Sequence, residues 1–151
     1  MRMVAALAFA VVTTARPAGA SEAADVLAKV KEFCDSLNKG DAKAALATCA
    51  SPAFIIDDFP PHVWAGPTAC AEWLGAYDAD MKKGGITDAV VKLGKPRHVD
   101  VTGDRAYVVV PANYDYKEKG KGVAEHGSTL TVALQRGSTG WLITAWAWSK
   151  H

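Results

Sequence analysis

From residue 86 onward the chain reads as five segments of alternating or continuous apolar character, 86–93, 97–101, 105–116, 123–135 and 141–148, separated by glycine-bearing turns. That punctuation constrains the fold more than any other feature. The turns hold Gly94, Thr102-Gly103-Asp104, Lys119-Gly120-Lys121-Gly122 and Gly137-Ser138-Thr139-Gly140. Glycine supplies the positive backbone angles of tight hairpins, so segments joined this way pair antiparallel with their sequence neighbours. The two longest must twist and curl, which gives the sheet a concave face.

What packs on that face precedes it. In 21–37 the apolar residues Val26, Leu27, Val30, Phe33, Cys34 and Leu37 recur at three and four, predicting a helix with one buried stripe. Gly40 ends it and Asp41 caps a short second helix over 42–49. Residues 53–56 form an apolar β-branched run closed by Asp57-Asp58, and Pro60-Pro61 forbid further ladder bonds, which predicts an edge strand. Gly66-Pro67-Thr68 opens a third helix with the stripe Cys70, Trp73, Leu74, Tyr77 and Met81, stopped by Gly84-Gly85. Helices followed by a meander predict an α+β fold: a cone-shaped, curved antiparallel sheet wrapped on three N-terminal helices that only partly fill it. The unfilled part is a pocket.

Residues 1–20 are expected to be a signal peptide rather than part of the fold. Arg2 precedes the apolar run 4–12, which is too short to span a bilayer, and Ala18-Gly19-Ala20 ends in a small-x-small pattern. Cleavage after Ala20 would leave 21–151 as one domain, periplasmic or secreted, with no stable membrane anchor. Export allows one disulfide among Cys34, Cys49 and Cys70, all read here as lying on helix faces; the three pairings, or three buried thiols, stay open. A formal charge of +1 with scattered lysines argues against nucleic acid as a partner. Lys117, Lys119 and Lys121 mark a solvated hairpin tip.

Alternation nominates cavity-facing side chains. Stepping back from Leu134, Val132 and Leu130 through Ser128 brings His126 to the same face, unless a bulge at Gly127 turns it to solvent. Ala112 leads likewise to Tyr114 and Tyr116, so His126, Tyr114 and Tyr116 are expected to meet. Asp57 and Asp58 point to opposite sides; Asp58 follows Phe54 and Ile56 in parity and is the candidate cavity carboxylate, with capping of the turn as the other role for both acids. Asp58 and His126 are thus the candidate catalytic groups. His62 and Trp64 are placed at the rim and Tyr77 on the cavity floor. Trp141 differs in parity from Trp146 and Trp148, so both faces of the last strand carry bulk, which predicts a homodimer through the sheet.

The motifs IIDDFPPHVWAGPTACAEW, GDRAYVVVPANYDYKEKGK and GWLITAWAWSK, with W-x-G before the third helix and G-W-x-I in the last strand, resemble the nuclear transport factor 2-like (NTF2-like) superfamily, in its SnoaL-like and ketosteroid-isomerase-like branch. The resemblance covers nearly all of 21–151. It implies a cystatin-like cone, frequent dimerisation through the sheet, and a deep apolar pocket serving catalysis or binding alone. Two family patterns are missing. Residues 21–37 contain no tyrosine to match the isomerase donor, and Arg97, Arg105 and Arg136 sit in or beside turns rather than in the Asp-Arg-Asp set of epoxide-hydrolysing relatives.

Two function classes follow. One is a binding module for a small apolar or amphipathic molecule. The other is an isomerase, dehydratase or cyclase in which Asp58 or His126 moves a proton and a tyrosine stabilises the charge. No cofactor is expected, since no metal cluster, phosphate loop or dinucleotide fingerprint is found in the sequence.

Overall fold

The computed structural model describes residues 18–151. Three helices, α1 (Ala18–Asn38), α2 (Ala42–Ala47) and α3 (Ala69–Gly84), pack on a sheet of seven strands: β1 (Cys49–Ile56), β2 (Val63–Gly66), β3 (Ile86–Leu93), β4 (His98–Thr102), β5 (Arg105–Glu118), β6 (Lys121–Gly137) and β7 (Gly140–Ser149). The order across the sheet is β2-β1-β7-β6-β5-β3, with β4 also pairing β5. The expected signal segment lies mostly outside the described residues; Ala18-Gly19-Ala20 open α1. Among the described residues no helix is long and apolar enough to cross a membrane.

Local chemistry sets the element ends. The Asp41 carboxylate accepts from the Ala44 amide at 3.0 Å to start α2. Gly85 takes φ 64° to close α3, and Lys119-Gly120, both at positive φ, make the β5–β6 hairpin. The core lies between helices and concave face: Val26, Val30 and Phe33 of α1 and Trp73 of α3 are buried with Val108 of β5, Val132 of β6 and Ile143 of β7.

Three expectations need correction. The 53–56 strand is not an edge: β1 lies between β2 and β7 and runs parallel to β7, with Ile55 opposite Trp146. The edge on that side is β2, which forms after the proline pair reverses the chain. Cys49 opens β1 instead of ending a helix, and it forms a disulfide with Cys70 at the start of α3, leaving Cys34 a free, buried thiol. The tryptophans of β7 do not divide between faces. Ala133 pairs with Ala145 but Leu134 with Ile143, so Thr144 is an extra residue that restores parity. Trp141 and Trp146 are both buried, as is Ile143 between them.

Candidate functional site

The open end of the cone holds a cavity of about 410 Å³ between α1, α3 and the sheet. Aromatic rings from both helix and sheet line it. Trp73 and Tyr77 of α3 stack at 5.4 Å, and Trp73 meets Trp146 of β7 edge-on at 4.7 Å. On the sheet side Tyr114 lies 4.9 Å from Tyr116 and 6.4 Å from Trp148. The Tyr77 and Tyr114 hydroxyls share a hydrogen bond of 2.9 Å, tying helix to sheet, and Tyr114 also donates to the Met81 sulfur at 3.3 Å.

Asp57 is the buried acid of the site. Its Oδ2 accepts from Trp73 Nε1 at 2.8 Å and its Oδ1 from the Asp58 amide at 2.8 Å. Both bonds favour the charged form, yet burial outweighs them and pushes the carboxyl up to about 6. Burial likewise raises the Tyr77 and Tyr114 hydroxyls, and it pushes the Cys34 thiol, which lines the same cavity, up to about 12, so that Cys34 stays protonated. Trp146 contributes a buried indole N–H without a partner among the described residues.

The mouth is charged. Lys150, one residue past β7, places its ammonium 3.1 Å from Glu125 and 3.4 Å from Asp58, and the Tyr116 hydroxyl donates to Glu125 at 3.0 Å.

Of the residues nominated from sequence, Tyr77, Tyr114, Tyr116 and Asp58 line the cavity, and the first two touch. His126 does not. Between Ala112 and Tyr114 the register shifts, with Gly127 at φ 87° and its amide donating to Asn113 Oδ1 at 3.2 Å. The bulge brings Glu125 opposite Tyr114 and turns His126 outward, where its 64% exposed ring meets Asp115 at 3.2 Å. His62 is exposed; at φ 72° it closes the turn by donating from Nδ1 to the Asp57 carbonyl at 3.1 Å. Trp64 is buried against Phe59 at 5.1 Å, behind the wall rather than at the rim. Asp57 takes the interior position assigned to Asp58, because Ile55, and not Phe54 or Ile56, faces the core.

No protein-family model and no curated protein matches the sequence. Solved structures do match in shape. An NTF2-like protein with a cystatin-like fold from Novosphingobium aromaticivorans superposes with a TM-score of 0.70 at 16% identity, covering 87% of this chain and 82% of that one. A ketosteroid isomerase-like protein from Erwinia carotovora atroseptica gives 0.65 at 20% identity over 85% and 95% of the two chains. An NTF2-like superfamily protein from Salmonella enterica serovar Typhimurium gives 0.72 at 18% identity over 88% and 93%. The chain therefore has the NTF2-like fold, the cone that the sequence motifs resemble. At these identities the likeness is one of architecture, and function has to be argued from the site.

Proposed function

We propose that the protein binds a small apolar or amphipathic molecule in the cone cavity. The observation that carries this is the cavity itself: its volume of about 410 Å³ falls in the range of small-molecule sites, and its wall joins stacked aromatics to a few convergent polar groups. The unpartnered Trp146 N–H supports the reading, since a ligand oxygen could satisfy it. Native mass spectrometry of protein purified from its own host should reveal a bound mass. Three tryptophans in the wall should also give a saturable change in emission when a fitting molecule is added. An unliganded protein whose emission no apolar or amphipathic compound alters would overturn the proposal.

A second reading is favoured by one feature. Asp57, titrating near 6 on the same cavity as the Tyr77–Tyr114 pair, has the properties of a general base beside a hydroxyl donor, as an isomerase, dehydratase or cyclase requires. Under this reading turnover rises with pH through about 6, and Asp57→Asn abolishes it while binding persists. Loss of binding together with turnover would count against a proton-transfer role.

Export and dimerisation belong to the same proposal. The Cys49–Cys70 disulfide supports an oxidising compartment, periplasmic or extracellular. The outer face of the sheet supports a second copy of the chain, as Phe54, Ile56, Val63 and Tyr107 are 43–48% exposed there.

A further inference from the structure

We propose that the ligand is an organic cation, an amine or quaternary ammonium group on an apolar or aromatic body, and that the Lys150 ammonium occupies its place when no ligand is bound. The inference rests on the reading of the cavity as a small-molecule site and adds the chemical class.

Charge is the first ground. Among the described residues lining the cavity, Asp57, Asp58, Asp80 and Glu125 are acids, Lys150 is the one basic group, and there is no arginine or histidine. An anionic ligand would meet a site already carrying excess negative charge, whereas a cation would relieve it. The second ground is the shape of the aromatic wall beside those acids. Tyr114 stands at 36° to Tyr116 and at 76° to Trp148, with centroids 4.9 and 6.4 Å away, so rings of differing orientation adjoin, and ring quadrupoles attract an ammonium group.

Lys150 is the third ground, since it shows how the site's acids hold an ammonium group. Its side chain is 53% exposed and holds an alkylammonium between Asp58 and Glu125, the latter also accepting from the Tyr116 hydroxyl. These carboxylates keep it protonated. A half-exposed lysine on a flexible stem is held by little net energy and can swing into water. A ligand cation that displaces it inherits both carboxylates and gains ring contacts.

Matched probes test this on the intact protein by calorimetry at pH 8 and low salt: benzyltrimethylammonium, its uncharged carbon isostere neopentylbenzene, and phenylacetate. The expected result is that the cation binds at least about tenfold tighter than the isostere, with phenylacetate weakest. K150M should tighten the cation severalfold and leave the isostere within about twofold, while E125Q should weaken the cation alone. An isostere or anion that binds as well as the cation overturns the cationic assignment and leaves the cavity proposal standing. Failure of all three probes overturns both. Weaker cation binding by K150M overturns the assignment of Lys150 as stand-in.

Discussion

Asp57 accepts hydrogen bonds on both carboxylate oxygens and still holds its proton to about pH 6, which ranks the forces acting on it: loss of water outweighs two good donors. The consequence for stability has a definite sign. Its folded value lies above the ordinary 3.8, so the folded chain binds this proton more tightly than the unfolded chain does. The stabilisation is full below pH 4 and is lost as pH rises through about 6. Urea denaturation from pH 4 to 7 should therefore show the parent losing up to about 3 kcal/mol relative to Asp57→Asn. Parallel profiles for the two proteins would mean that the carboxyl is not desolvated. At this scale the sequence was least legible. Parity made Asp58 the interior acid, because Phe54 and Ile56 are more apolar in appearance than a single Ile55, and only the pairing of Ile55 with Trp146 reveals which side is covered. The displacement of His126 by one inserted residue is equally invisible to a count by twos, although Gly127 marks where the count can fail.

Elements were far easier to read. Glycine turns separate the successive strands from β3 to β7, and the helix stripes meet the core as spaced. What the pattern could not give was the short strand β2 and the pairing of distant segments, β1 parallel to β7 and the disulfide, since sequence carries no signal for which cysteines approach. That bridge ties the start of β1 to the start of α3 across a separation of 21 residues. Replacing both cysteines by alanine should cost about 3 kcal/mol, read as a lowered urea midpoint; an unchanged midpoint would show that packing alone holds α3 in place. A second long-range clasp is Asn38, at the end of α1. Its amide donates to the Val91 carbonyl and its Oδ1 accepts from the Val91 amide, both at 2.8 Å, so one side chain satisfies the free edge of β3 as a neighbouring strand would. Asn38→Ala should destabilise by about 2 kcal/mol and speed amide exchange at Val91. Unaltered exchange there would assign the edge's protection to something else.

For the whole molecule, the cone leaves one sheet face toward the helices and one without cover among the described residues. The bulge at Thr144 sends the bulky tryptophans inward, so the outer face is built from smaller residues, Ala133, Ala145 and Ala147 among them, bordered by Phe54 and Ile56. The proposed dimer thus needs no tryptophan, contrary to the premise drawn from parity. In a two-fold dimer each substitution acts twice, so Phe54→Lys should convert a sedimenting dimer into a folded monomer at micromolar concentration. A parent protein that already sediments as a monomer would remove the dimer.

The strand order also governs when the molecule can come together. Among the described residues β7, the seventh strand in sequence, is the sole link in the sheet between the β1–β2 hairpin and the meander of β3 to β6. Until residues 140–149 leave the ribosome, the two halves have no ladder in common, and β1 and β6 each present an unpaired flank. Assembly of the sheet must therefore wait until β7 has been made, and a chain cut short before Gly140 loses its closing seam along with one strand.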